Sequence, residues 1–201
     1  IQVNNIAAET EGTVTASIDG NAAQLDDLAA NATSATCAFT IVVDDVATVT
    51  QGKTIIDATS AATVDFSAAG LTGALATYIA DGANTAHASL TAIKGKDADI
   101  NITITPAIEN ITDAQVIQVN NIAAETEGTV TASIDGNVAQ LDDLAASGTS
   151  ATCAFTIVVD DVATVAQGKA IIDATNAATV DFSAAGLTGA LATYIGTGVN
   201  T

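Results

Sequence analysis

The sequence predicts an α/β fold: an open right-handed parallel α/β solenoid of helix–strand units of about 25–36 residues each, one sheet face covered by helices and the other solvent-facing. Three observations carry this reading. The stretch IQVNNIAAETEGTVTASIDG occupies residues 1–20 and recurs unchanged at residues 117–136. The match runs on until Thr85 pairs with Thr201, and only nine paired positions differ: Ala22/Val138, Asn31/Ser147, Ala32/Gly148, Thr50/Ala166, Thr54/Ala170, Ser60/Asn176, Ala80/Gly196, Asp81/Thr197 and Ala83/Val199. Near-identity at a fixed offset marks a serial architecture, in which one small unit packs on the next. Segments of period-two alternation are separated by segments of helical period, which suggests right-handed crossovers and a parallel sheet. The alternation leaves one apolar face per strand, whereas sheets covered on both faces read as unbroken apolar runs.

Taken in order, residues 1–10 repeat the end of a helix whose start is seen only in the second copy. There Thr112-Asp113-Ala114-Gln115 has the form of a capping box, and the helix it opens carries Val116, Val119, Ile122 and Ala123 inward. A strand at 13–18 turns Val14, Ala16 and Ile18 to the helices. Residues 21–30 place Ala22, Leu25, Leu28 and Ala29 on one side of a helix. The strand at 37–43 turns Phe39, Ile41 and Val43 inward. Residues 45–59 read as a helix with Asp45 as N-cap and Val46, Val49 and Ile56 on its apolar side. Val64 and Phe66 face the core from a strand at 63–68. An insertion at 70–96 reads as a helix over 70–79, a turn at 81–84 and a short helix over 86–93. The strand at 99–104 presents Ile100, Ile102 and Ile104, and Pro106 follows it, where a missing N–H does little harm. Further copies of the strands fall at 129–134, 153–159 and 179–184.

The strand markers Thr13, Ala38, Thr63, Asp99 and Thr129 are 25, 25, 36 and 30 residues apart. A shorter likeness lies inside the long one: Ile6 and Ile56 each stand seven residues before a Thr-Val strand opening. The unit is therefore one helix plus one strand. Residues 1–116 make a first long repeat of about four units, with the insertion at 70–96, and residues 117–201 a second, incomplete copy. Two periods of 116 would need 232 residues, 31 more than the 201 present, so the chain is expected to be an excerpt of a longer protein or a processed piece of one. A tandem immunoglobulin-like sandwich is the rival fold, but its strands are not spaced by capped helices.

Composition excludes several function classes. A formal charge of −19, with Lys53, Lys94, Lys96 and Lys169 as the only basic residues, argues against nucleic acid and against an anionic membrane surface. It suits solubility, a cation-rich medium or calcium. No apolar run approaches membrane-spanning length, so no membrane insertion is expected. There is no Trp or Met, and the aromatics are Phe39, Phe66, Tyr78 and their copies Phe155, Phe182 and Tyr194. The core must be built in layers of small and β-branched side chains.

Candidate sites are few. Asp19, Asp44 and Asp45 fall at the carboxyl ends of neighbouring strands, and stacking would bring them to one rim that can take calcium; the plainer reading is helix caps and solubilising charge. Asn31, Asn101 and Asn110 begin glycosylation sequons, the first lost in the second copy at Ser147. Cys37 and Cys153 are equivalent positions four units apart, roughly 19 Å at the usual strand spacing, too far to bond to each other. They are expected to be buried thiols, with a disulfide to another chain as the alternative. No Cys/His cluster suggests zinc. His87 is the only histidine and reads as a loop or short-helix residue. The face of Thr15, Ser17, Thr40, Asp65, Asn101 and Thr103 is an ordinary hydrated sheet face or a ladder for a glycan or another sheet.

Segments such as Asp44-Asp45-Val46-Ala47-Thr48-Val49 and Ile55-Ile56-Asp57-Ala58-Thr59 resemble the giant repetitive extracellular proteins of bacteria, the Ala/Thr/Asp-rich "β-strand repeat" surface proteins of cyanobacteria and marine bacteria. The helix–strand geometry is also similar to that of leucine-rich repeats, although their Leu/Asn consensus is absent. The resemblance implies an extracellular or cell-surface protein and transfers no catalytic residue. The expectation is a structural, non-enzymatic repeat protein that forms a filament, sheath or surface layer by end-to-end stacking with copies of itself or with more of a longer repeat chain. The alternative is an adhesin or calcium-stiffened module that recognises surface glycans. No cofactor is expected, with calcium at the rim of Asp19, Asp44 and Asp45 as the alternative.

Overall fold

The computed structural model describes residues 2–28, 36–60, 63–66, 70–145, 152–174, 179–183 and 186–189. Seven α-helices and ten strands alternate through them: α1 (Gln2–Ala8), β1 (Thr13–Gly20), α2 (Ala22–Asp26), β2 (Thr36–Val43), α3 (Val49–Asp57), β3 (Val64–Asp65), β4 (Leu71–Gly73), α4 (Ala88–Lys94), β5 (Ile102–Ile104), α5 (Asp113–Ala124), β6 (Thr129–Gly136), α6 (Val138–Leu141), β7 (Thr152–Val159), β8 (Ala163–Thr164), α7 (Val165–Ala174), β9 (Val180–Asp181) and β10 (Leu187–Thr188). The fold is mixed α/β, and every ladder between these strands is parallel.

Pairing follows chain order. One sheet runs β1-β2-β3, a second runs β4-β5-β6-β7-β9, and β8 pairs with β10. The longest ladders are copies of each other, with Thr13 to Gly20 opposite Thr36 to Val43 and Thr129 to Gly136 opposite Thr152 to Val159. Between β3 and β5 the backbone stays linked: Val64 N–H donates to the Lys96 carbonyl, and Leu71 N–H to that of Asn101. Ala47 bridges to Leu71 in β4, and Ile108 to Ile134 in β6.

The expected alternation is present in the burial. Phe39, Ile41, Val43, Val64, Phe66, Ile100, Ile102 and Ile104 are buried, while Thr15, Ser17, Thr40, Asp65 and Thr103 are exposed. These apolar faces join the inward sides of the helices, including Leu25, Ile55, Val116, Val119 and Ile122, in one continuous core. The capping box at Thr112 forms: its hydroxyl accepts from Gln115 N–H, and the Gln115 side chain accepts from Thr112 N–H. Ala29, expected inward, lies outside the described residues.

Three expectations are corrected. The helix expected over 45–59 is α3, capped by the Thr48 and Gln51 box and not by Asp45, and Val46 is exposed outside it. Asp45 is instead used by the preceding helix, as described below. Residues 70–79 are not helical throughout. Gly70 takes a positive φ of 71°, a conformation that glycine alone adopts without cost, and turns the chain into β4, followed by a 3-10 turn over Leu75–Tyr78. The backbone of Leu71 and Thr72 is paired on both sides, with Ala47 and with Asn101 and β5, and non-local pairing of this kind overrides local helix propensity. The strand expected over 99–104 is shorter, β5 alone, because Asn101 spends its side chain on the neighbouring unit.

A polar side chain just after a helix ties several units to the one before. The buried Thr59 hydroxyl accepts from Phe39 N–H at 2.7 Å and lies 2.8 Å from the Phe39 carbonyl that it can donate to. The Asp97 carboxylate accepts from Phe66 N–H at 2.7 Å. The Thr126 hydroxyl donates to the Ile100 carbonyl at 2.5 Å and accepts from Gly128 N–H at 2.9 Å. Each tie satisfies backbone groups that would otherwise be buried without partners, which costs about 1–3 kcal/mol apiece.

Candidate functional site

The acidic rim is built by the parallel register. Asp19 stands opposite Val42, and Asp44 N–H donates to the Gly20 carbonyl at 2.9 Å, which carries the Asp44 side chain to Asp19. A hydrogen bond to the Asp19 carboxyl holds Asp44 above the usual carboxylate range; desolvation and the charges of Asp19 and Asp45 push the same way. The second copy repeats the arrangement, with Asp160 raised by Asp135, then by desolvation and by Asp161. Asp135 Oδ1 is buried there without a hydrogen-bond partner. Asp45 does different work: its Oδ1 accepts from Ala22 N–H, the first residue of α2, just as Asp161 accepts from Val138 N–H at 2.7 Å. The rim is thus a carboxyl pair that can share a proton or a cation, beside a third carboxylate already engaged at a helix start. Among the described residues no group of three or more His, Cys, Asp or Glu is arranged to hold a metal ion.

The other candidate residues are placed as follows. Asn31 lies outside the described residues. Asn101 is half-buried, and its side-chain oxygen accepts from Thr129 N–H at 2.9 Å. Asn110 is exposed with a φ of 51°. Cys37 is buried and Cys153 half-buried, and both are thiols. His87 caps α4, its Nδ1 accepting from Ser89 N–H at 3.1 Å. Tyr78 is fully buried and donates to the Thr103 carbonyl at 3.0 Å; desolvation pushes its phenol well above the ordinary value.

Two further surfaces emerge only from comparing the copies. Ile6 is 59% exposed, whereas its copy Ile122 is fully buried. Val14, Ala16 and Ile18 are half-buried, but Val130, Ala132 and Ile134 lie in the core, covered by β5. At the other end Ile172 is 52% and Leu187 43% exposed, against 5% for Ile56 and none for Leu71. Local sequence carries no signal for these surfaces, since the exposed and buried versions are the same residues; only the order of units distinguishes them. No helix is long and apolar enough to cross a membrane among the described residues. No family model, no curated protein and no solved structure matches the chain.

Proposed function

We propose that the chain is a structural, non-enzymatic repeat protein of the cell surface or extracellular space, an open right-handed α/β solenoid whose units stack end to end into a filament, sheath or surface layer. The observation that carries this reading is the pairing of the described strands in chain order, every ladder parallel, with apolar faces around Ile6 and Ile172 that are more exposed than those of their copies Ile122 and Ile56. Faces of this kind are completed by another unit of the same sort, and a head-to-tail contact that does not close makes a fibre. The acidic surface keeps such an assembly soluble along its sides.

The test is cryo-electron microscopy, with antibody labelling, of cells that make the chain. Thin fibres or a surface layer with an axial spacing of about 4.8 Å between strands are expected. Label confined to the cell interior, or discrete globular particles, would overturn the reading.

Calcium stiffening is a second reading, favoured by the carboxyl pair that recurs as Asp19 with Asp44 and Asp135 with Asp160. A cation between two such oxygens would offset the repulsion of their charges. Calcium should then raise the melting temperature; a titration with neither heat nor a melting shift removes this version.

A further inference from the structure

A groove beside α5 shares no residue with the acidic rim. It is made of two depressions, of about 300 and about 360 Å³, that meet at Ala76 and Gln118. One lies at the loop of Asp81, Gly82 and Asn84, the other at Pro106, Ala107 and Glu109. Much of the lining is apolar, from Leu75, Ala76, Ile79, Pro106 and Ile108. Gln118 Nε2 donates to Asn84 Oδ1 at 3.0 Å, and Asn121 Nδ2 to the Asn84 carbonyl at 2.6 Å, so the loop is held against the helix. Each depression carries one carboxylate, Asp81 in the first and Glu109 in the second, and both residues are exposed. No lysine lines either depression.

The long copies diverge at this groove. Of the nine positions that differ, three line the first depression: Ala80/Gly196, Asp81/Thr197 and Ala83/Val199. Asp81/Thr197 is the single difference among the nine that changes a charge. Four other residues of that lining, Ala76, Ile79, Gly82 and Asn84, recur unchanged as Ala192, Ile195, Gly198 and Asn200. The frame of the depression is kept, and the groups that would meet a ligand are exchanged.

We propose that the groove binds a linear aliphatic diamine, with one ammonium on Asp81, the other on Glu109 and the methylene chain along the apolar lining between them. Methylenes cover apolar surface while charged ends stay in water and meet carboxylates. Depressions of this size suit a small molecule. A metal ion takes several oxygens at once, and each depression offers one carboxylate. A quaternary or aromatic cation favours an open aromatic face, and Tyr78, in the turn beside the groove, is fully buried. The formal charge of −19 gathers cations at the surface, and the groove selects among them by length and by the charge at each end.

The experiment titrates the 201-residue chain with linear diamines from 1,4-diaminobutane to 1,8-diaminooctane at low salt, by calorimetry and by amide chemical shifts, with butylamine as the one-ended control. Saturable binding of at least one diamine is expected, with the shifts gathered at Gly82, Ala83 and Ala107. Asp81→Thr, the exchange that the second copy carries in its sequence, and Glu109→Gln should each weaken binding about tenfold, without moving the melting temperature. Butylamine should bind about tenfold more weakly than the best diamine. Glu11→Gln, at an exposed carboxylate outside the groove, should change nothing. Equal weakening by all three variants would mean diffuse attraction to the acidic surface and would overturn the site. Butylamine as tight as the diamines would overturn the two-ended grip. A series in which no diamine saturates would end the proposal.

Discussion

Residues 2–20 and 118–136 are the same sequence in two settings. In the second setting the helix is α5, with Thr112 and Gln115 capping its start and the Lys94 ammonium 2.8 Å from the Ala124 carbonyl at its end. In the first, α1 ends at the equivalent residue, Ala8. The strand is β6 in one place, with its apolar face in the core, and β1 in the other, with that face half open. Some features do not change. Asn4 and Asn120 each donate to the backbone of the following unit, at Asp27 and Asp143. The contacts that point forward along the chain are the same in both settings, and the second copy adds those it makes with residues 98–102. A residue's worth here is set by its neighbour more than by its type.

That contrast can be broken or sharpened by paired substitutions. The largest difference is expected at the helix. Ile122→Ala empties a fully buried site and should cost about 3–4 kcal/mol, while Ile6→Ala, mostly exposed, should stay within about 1 kcal/mol. Urea midpoints with unchanged slopes would check it, and equal losses would refute the contrast. Next, Gly128→Ala forces the Asp99 backbone to move and should cost roughly 2–3 kcal/mol; Gly12→Ala should change stability by no more than about 0.5 kcal/mol. Thr126→Val removes a buried hydroxyl that serves Ile100 and Gly128, at a cost of about 1.5 kcal/mol, whereas Thr10→Val loses the exposed Gly12 N–H bond and should cost about 0.5 kcal/mol.

The smallest effect concerns the segment between the copies. Desolvation raises Asp97 to about 6, against the backbone bond from Phe66 and with Asp99 and Asp65 adding to the rise. A carboxyl raised in the folded state binds its proton there more tightly than in the unfolded chain. Its contribution is fully present below about pH 4 and is lost as pH climbs through about 6. Stability should therefore increase by about 1 kcal/mol between pH 7 and pH 5, and Asp97→Asn, which keeps an acceptor for Phe66, should flatten that rise. Thermal melts across the range decide it; an unchanged slope in the variant would assign the effect to other carboxyls.

Much of this fold is legible in the residues, for reasons the pairs make plain. Long alternating strands such as 36–43 and helices with an apolar stripe such as 113–124 announce themselves by period, and the Thr112 box by its spacing. Of the positions that differ between the copies, Ala22 is the one buried among those described in the first copy; Thr50, Ser60, Asp81 and Ala83 are exposed. The short strands at Leu71–Gly73 and Ala163–Thr164 carry too few residues to show any period, and their pairing lies in the backbone of distant units. Asp45 differs from its local signal for a related reason: its spacing fits the helix after it, while the register of β1 on β2 hands it to the helix before. The exposed ends could not be read from residue type at all.

The ties at Thr59, Asp97 and Thr126 all reach toward residues that precede them in the chain. During synthesis the anchor for each new helix end has therefore already left the ribosome when the tie is made. Growth can proceed like laying courses of brick, every course fixed to finished work and none waiting on what comes later. Shortening the chain from its carboxyl end, one helix–strand unit at a time, should leave the remainder folded and lower amide protection in the newly uncovered strand, where an amide such as that of Phe66 loses its acceptor, whereas removal from the amino end should loosen the first unit that keeps its tie but loses its anchor.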